Sequence, residues 1–426
     1  MSIDHGRRRI LAALSASLGL AAAGLPLRSR AAPGRVVVVG GGFGGAAAAR
    51  ALKQLSPDLD VVLIEPAAVF RTCPFSNLYL GGLRSFGSLG HHYGHLQRRH
   101  GVRVVRSMAR AVDAEQRQVR LADGTRLGYD RLILSPGIDL RWDALEGYDQ
   151  AAAERLPHAW KAGAQSRLLR RQIRAMDDGG LFLMVIPDNP YRCPPGPYER
   201  AAMVAHYFRQ HKPRSKVLLL DAKDAFSKQA LFEQGWRQVY GDMIEWVGFS
   251  GDGEVVRVDA GERSVETAFG QRHQAAVINV IPPQQAGYIA RQAGVTDRSG
   301  WAPVKAGTFE SSLVPNVYVI GDAAVAAPMP KSAFCAHSQA GVTAAAVLAS
   351  LADRPPPEPV WLNTCFSLID ADYAISISGH YRLVDGEIRE LAGGVSPLVA
   401  TTEFRGCEAE HARNWYAAMT QSIWGA

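Results

Sequence analysis

Arg35-Val36-Val37-Val38-Val39 is a β-branched run of the kind found in a strand buried on both faces, and Gly40-Gly41-Gly42-Phe43-Gly44-Gly45 follows it directly. Gly40, Gly42 and Gly45 fill the G-x-G-x-x-G positions: a tight turn, close approach of a pyrophosphate, and close helix–strand packing. Ala46 to Leu55 reads as the helix whose free N–H groups would face the phosphates. A second strand, Asp60 to Ile64, ends at Glu65, placed to accept hydrogen bonds from the adenosine ribose. Strand, glycines, helix and acid in this order predict dinucleotide binding rather than a glycine-rich surface loop.

The second chemistry is that of thiols. Leu181 to Ile186 and Lys216 to Leu220, the latter ending at Asp221, read as the strands of a further nucleotide-type unit. The loop between them, Pro187 to Glu199, is proline-rich with Gly196 as its single glycine, so the backbone cannot approach a pyrophosphate and nicotinamide nucleotide is not expected. Cys193 stands there instead, just ahead of a helix expected from about Tyr198, a setting that can activate a thiol. A second thiol, Cys335, lies in Lys331 to Gly341, which leads into a helix from Val342 to Leu351. Two cysteines converging from separate segments suggest a redox disulfide. Burial as small apolar residues is the plainer fate of each.

Two distant segments choose between dinucleotides. Thr308 to Asp322 is a strand delivering Gly321-Asp322 at its end, and it resembles the second FAD motif of two-dinucleotide-domain flavoproteins, in which that Asp binds the ribityl chain. Leu132 to Gly137, with Pro136 and Gly137 at its end, resembles the segment that returns from a small β insertion to the FAD domain. FAD is therefore expected as the cofactor. The fold class is α/β: two Rossmann-like dinucleotide-binding domains of the disulfide-reductase type plus a small α+β C-terminal domain.

Arg71-Thr72-Cys73-Pro74-Phe75-Ser76-Asn77, Cys193-Pro194-Pro195-Gly196-Pro197-Tyr198-Glu199, Ala333-Phe334-Cys335 and Asn363 to Ile369 together resemble the flavoprotein subunit of flavocytochrome c sulfide dehydrogenase, a relative of the sulfide:quinone oxidoreductases. The resemblance implies an 8α-S-cysteinyl link from Cys73 to FAD, a redox-active Cys193–Cys335 disulfide, and hydrosulfide as substrate. Hydrosulfide attack would give a persulfide and a thiolate, two electrons would reach FAD, and sulfur would leave as polysulfide or sulfane sulfur. The chain has no C-x-x-C-H haem motif, so the resemblance implies haem c on a partner c-type cytochrome. Pro74 departs from the residue expected after a flavin-linked cysteine. Glu199 is read as a proton handler near the disulfide or as an ordinary carboxylate at a helix N-terminus. Lys331 is read as a stabiliser of negative charge on the flavin or as a solvated surface lysine. Cys365 and Cys407 are read as a structural disulfide or buried thiols.

These residues need positioning by a chain of 426 residues, long enough for several domains. The expected organisation is an FAD domain from 32–145 and 301–355, a second Rossmann-like domain at 146–300, and a flavin-cover or partner-interface domain at 356–426. Strands are expected at Ala374 to Ser378 and Tyr381 to Val384, and a hairpin is possible in Gly251 to Gly261. The first 31 residues hold five arginines against Asp4, so more than half of the net +7 lies there and a nucleic-acid footprint is not indicated. Arg7-Arg8-Arg9 ahead of an Ala/Leu stretch resembles a twin-arginine export signal, which predicts a periplasmic protein with no integral membrane segment after its removal. The five cysteines show no metal-ligand spacing, and His91, His92 and His95 read as a solvated loop rather than a metal site. The aromatic tail Trp415 to Trp424 could cover the flavin, meet a partner, form a short membrane foot or pack in the core. Two further functions fit these features: a sulfide:quinone oxidoreductase, and a non-catalytic flavin-containing sulfur carrier or assembly protein.

Overall fold

The computed structural model describes residues 34–425, and the expected export signal lies outside the described residues. The valine run forms the centre of a five-stranded parallel sheet, in the order Val317–Val319, Arg131–Leu134, Arg35–Val39, Asp60–Ile64, Arg103–Val105. Val36, Val37 and Val38 are fully buried, as β-branched side chains covered on both faces should be. Helix Phe43–Leu55 follows the glycine loop and buries Ala46, Ala47, Ala48 and Ala49. Those small side chains let it lie close to a second alanine-rich helix, Ala333–Leu351. By length and composition Ala333–Leu351 could cross a membrane, yet half of its apolar stretch is buried in this packing.

A second parallel sheet has four strands, ordered Ile244–Val247, Lys216–Asp221, Leu181–Ile186, Val277–Val280. Its first crossover helix is Gly196–His211, which starts two residues before Tyr198 and leaves Cys193 in the loop ahead of it. Each sheet carries a three-stranded antiparallel insertion, Ala109–Asp113 to Arg126–Gly128 in one and Val255–Asp259 to Arg272–Gln274 in the other. Val255–Asp259 and Ser264–Thr267 pair as a hairpin whose first strand lies inside the Gly251 to Gly261 window and whose second lies beyond it.

The C-terminal sheet is an antiparallel meander, Val360–Asp370, Tyr373–Val384 and Glu387–Val395, closed by helix Thr402–Trp424. The two short strands expected there are one continuous twelve-residue strand. Its pairing with the last strand shifts register between His380 and Tyr381, a bulge that absorbs the break in alternation.

Candidate active site

One cavity of about 550 Å³ runs from the glycine loop to a cluster of thiols. At its first end Gly40 sits at φ +99°, and a Cβ there would stand 2.3 Å from the Ser135 carbonyl oxygen. A Cβ on Gly45 would stand 1.9 Å from the Gly40 carbonyl oxygen, so only glycine lets the helix settle onto the strand. Gly42 caps that helix and lines the cavity. Glu65 lines it too, its Oε2 accepting from the Gly41 N–H at 2.8 Å and its Oε1 from the Ala67 N–H at 2.8 Å. Each oxygen keeps a lone pair for a ribose hydroxyl. Pro136, Gly137, Gly321 and Asp322 border the same space. Gly321 turns at φ +74° and donates to Gln339 Oε1 at 2.7 Å. Burial pushes the Asp322 carboxyl up, opposed by the positive charges of Arg192 and Lys331. Bare glycine backbone, a helix N-terminus and two carboxylates around one cavity fit FAD.

At the other end the lining includes Cys73, Cys193 and Cys365. Cys73 reaches the Trp160 carbonyl at 3.5 Å, and its own carbonyl accepts from Ser76 Oγ at 2.6 Å. Cys193 is held at φ +60°, a left-handed conformation that costs energy outside glycine. Its N–H donates to the Lys331 carbonyl at 2.8 Å, and its carbonyl accepts from the Gly196 N–H at 2.8 Å, which fix the strained turn. Cys365 comes from within strand Val360–Asp370, opposite Ile377. Burial raises both thiols, and Cys365 is the leading charged neighbour of Cys193, ahead of Glu199, Arg192 and Cys73.

The expected Cys193–Cys335 pair is corrected by this geometry. Ala333, Phe334 and Ala336 line the cavity, and the 100° step of a helix turns residue 335 to the opposite face. Cys335 is 1% exposed, its N–H donates to the N-capping Ser332 Oγ at 3.0 Å, and burial pushes its thiol up to about 12. Besides Cys73, the thiol that shares the cavity with Cys193 is Cys365, which the sequence suggested was structural. Cys407 is exposed on the C-terminal helix. All five cysteines are free thiols in this structure.

Charged groups surround the thiols. Glu199 sits in the first turn of helix Gly196–His211, accepting from Asn77 Nδ2 at 2.8 Å and from the Leu368 N–H at 3.0 Å, and burial raises its carboxyl. Arg200 is buried, donating to Asn77 and Asn279 side chains and to the His158 and Ala159 carbonyls. Lys331 is not a solvated surface lysine. Its Nζ donates to the Asp322 carbonyl at 2.7 Å and the Ala324 carbonyl at 3.0 Å and lies 3.7 Å from the Trp301 ring centroid, and burial pulls its ammonium down to about 8. Lys228, which no motif marked, is buried beside Cys365 and donates to its carbonyl at 3.3 Å and to Ser367 Oγ at 2.9 Å.

The C-terminal helix closes over the Cys73 segment. Trp424 stacks on His91 at 5.0 Å and on Phe70 at 5.2 Å, while Tyr416 Oη bonds Thr72 Oγ1 at 2.7 Å and His91 Nε2 at 3.1 Å. Trp415 lines the cavity. These aromatics are packed inside, so the tail is a cover over the site and not a membrane foot. His91 is buried in the same packing and is no part of a solvated loop, and among the described residues no group of three or more His, Cys, Asp or Glu could hold a metal.

In the second sheet the acid at the corresponding strand end does not face open space. Asp221, at the place of a ribose-binding acid, is fully buried and accepts from Lys223 Nζ at 2.5 Å, Tyr198 Oη at 2.6 Å and Trp246 Nε1 at 2.9 Å. Tyr198 stacks on Phe226 with ring centroids 3.6 Å apart. Aromatic rings and an ion pair occupy the position of a nucleotide.

This fold and site define a flavoprotein of the pyridine nucleotide-disulphide oxidoreductase fold, whose family model matches residues 34–166. The solved sulfide:quinone oxidoreductase of Aquifex aeolicus superposes with a TM-score of 0.71 at 17% identity, covering 91% of this chain and 92% of that one. The ferredoxin reductase for the CYP199A2 system of Rhodopseudomonas palustris superposes with a TM-score of 0.62 at 20% identity, over 81% and 82% of the two chains. Residues 166–282 match the central family model of the sulfide dehydrogenase [flavocytochrome c] flavoprotein chain, and residues 357–424 match the flavocytochrome c sulphide dehydrogenase flavin-binding model. A sulfide dehydrogenase [flavocytochrome c] flavoprotein chain from Chlorobaculum thiosulfatiphilum is 63% identical over 43 residues, 10% of this chain and 90% of that sequence. The mitochondrial sulfide:quinone oxidoreductase of Dictyostelium discoideum is 24% identical over 315 residues, 72% of this chain and 69% of the relative. The chain belongs to the family of flavocytochrome c sulfide dehydrogenase flavoprotein chains, and it is an FAD-binding oxidoreductase.

Proposed function

We propose that this chain oxidises sulfide at a Cys193–Cys365 disulfide and passes the electrons through FAD to a c-type cytochrome, in the periplasm after twin-arginine export. The observation that carries the reading is the convergence of Cys73, Cys193 and Cys365 on the cavity that also holds the glycine loop and Asp322.

Gly40, Gly42, Gly45, Glu65, Pro136, Gly137, Gly321 and Asp322 are the residues that would hold FAD, with Cys73 as its covalent tether and Lys331 as a nearby positive charge. When bound, FAD supplies an acceptor for an electron pair and can release it singly to a one-electron partner. The protein's own part is thiol chemistry. Hydrosulfide attacks one sulfur of the pair, the S–S bond breaks, and a persulfide and a partner thiolate result. A further sulfur nucleophile then removes the outer sulfur as polysulfide or sulfane sulfur, leaving two thiolates that give their electron pair to bound FAD as the S–S bond re-forms. Glu199, in reach of both sulfurs' charge and raised by burial, is suited to hold a proton beside them. Arg200 fixes the Asn77 amide that bonds Glu199 and so orients the carboxyl. Asp221, consumed by Lys223, Tyr198 and Trp246, favours a protein acceptor over a nicotinamide nucleotide.

The test is anaerobic addition of sulfide to the purified holoprotein with oxidised c-type cytochrome, followed by absorbance. Flavin bleaching and then haem reduction is the expected result. A flavin that stays oxidised in excess sulfide overturns the reading.

A further inference from the structure

Lys228 precedes helix Gln229–Tyr240 with its backbone at φ +63°, a left-handed conformation that lysine adopts only when its surroundings hold it there. The residue is 8% exposed. Among the described residues its ammonium makes no ion pair; its bonds go to the neutral Cys365 carbonyl and Ser367 Oγ, and the Phe232 ring lies 5.7 Å away. A buried cation without an anion is costly, and burial lowers the Lys228 ammonium; a thiolate beside it would offset that cost. The ionisable groups facing it come from three further elements: Cys365 from strand Val360–Asp370, Cys193 and Glu199 from the loop and helix around Gly196, and Glu408 from helix Thr402–Trp424. Glu408 is already spent on Arg405, Ser376 and Ser396. Glu199 is committed to Asn77 and the Leu368 N–H, with Arg200 as its other positive neighbour. Arg192 lies on the Cys193 side, Cys335 lies near Cys365, and Lys228 is the cation that opposes the burial raising Cys365.

Resting on the proposed Cys193–Cys365 disulfide, we infer that Lys228 is the built-in counter-ion of the Cys365 sulfur and makes Cys365 the thiolate when the bond opens. Hydrosulfide attack on Cys193 Sγ breaks the S–S bond, leaves the outer sulfur on Cys193 as a persulfide, and releases Cys365 as a thiolate without uptake of a proton. A sulfur that leaves as a stabilised anion leaves faster, so Lys228 sets the direction of the attack. It is a positioning residue, acting through charge and through the Cys365 and Ser367 contacts.

The experiment equilibrates the holoprotein with mixtures of reduced and oxidised dithiothreitol at about pH 6 to 8, quenches in acid, and counts the Cys193–Cys365 bond by alkylation and peptide mass spectrometry after unfolding. Reduction by the dithiol gives one thiol, one thiolate, the cyclic disulfide and one proton, so the wild-type equilibrium should shift toward the reduced pair by at least about tenfold over this range. Lys228→Gln keeps hydrogen-bond donors but no charge; both protons then stay on the pair, and the equilibrium should change by less than about twofold. Lys228→Arg should restore the wild-type slope. An unchanged slope in Lys228→Gln overturns the inference, as does a flat wild-type profile, which needs no variant to fold. If wild type gains no thiols at Cys193 and Cys365 on reduction, the disulfide reading itself has failed, whatever Lys228 does.

Discussion

The two parallel sheets share one plan, in which a buried strand leads through a loop to a helix and on to a second strand ending in an acid, yet one opens onto a nucleotide-sized cavity and the other is filled. The difference lies in the loop. Gly40 to Gly45 brings a bare helix N-terminus to the end of the valine strand, and Glu65 stays at the edge of open space. Pro187 to Pro195 forms a rigid turn, Tyr198 and Phe226 stack over the strand ends, and Asp221 is drawn into an ion pair with Lys223. In place of a glycine loop the second unit carries a strained, fixed Cys193 that lines the first unit's cavity. A dinucleotide fold can therefore be converted into a thiol holder by replacing its loop while the strands and helix remain.

The sharpest way to break the comparison is Gly45→Ala, whose methyl would meet the Gly40 carbonyl. Purified variant should contain no flavin, read as the ratio of flavin to protein absorbance. Next, Cys193→Ser and Cys365→Ser should each abolish flavin bleaching by sulfide, while Cys335→Ser should retain it within about threefold, since a small buried side chain outside the cavity changes packing only. Loss of bleaching in Cys335→Ser alone would restore the pairing expected from sequence. In the filled unit, Asp221→Ala leaves Lys223 without its partner and should destabilise the protein by about 3–5 kcal/mol, measured by denaturant midpoint, with flavin content kept.

The smallest effect concerns the cover over the open unit. Burial, with Arg84 and His92 nearby, holds His91 down to about 4, against 6.5 in an unfolded chain. The unfolded state thus binds a proton that the fold refuses. This contribution is absent above pH 6.5 and grows to a loss of about 3 kcal/mol as the pH falls through 4. Stability should decline below pH 6.5, and His91→Phe, which keeps a ring against Trp424, should recover most of that loss in chemical unfolding at pH 4. His158, lowered to about 3, adds to the decline in the same direction.

The open unit was legible because its chemistry is local: Gly40, Gly42, Gly45 and Glu65 follow one another at spacings that a turn, a helix and a strand impose. Gly321-Asp322 and the Cys193 loop were legible for the same reason. Cys365 was not, because alternation in a strand says which residues share a face and never which face meets the cavity. Cys335 misled because the helix expected from Val342 in fact starts at Ala333, and its 100° step turns residue 335 away from the cavity. Lys228 carries no local signal at all, since its left-handed backbone is imposed by tertiary packing. The hairpin suspected in the glycine-rich stretch is there, but its second strand, Ser264–Thr267, lies beyond Gly261 because the turn follows the first strand.

The C-terminal helix adds a constraint of timing. Tyr416 reaches Thr72 across 344 positions of sequence, so the roof of the flavin cavity is among the last contacts a growing chain can make. Until then the glycine loop and the Cys73 segment face a groove open on one side. Release of this helix would uncover the Thr72 and Phe70 side chains that flank the Cys73 segment, so its docking and the closing of the cavity are one event.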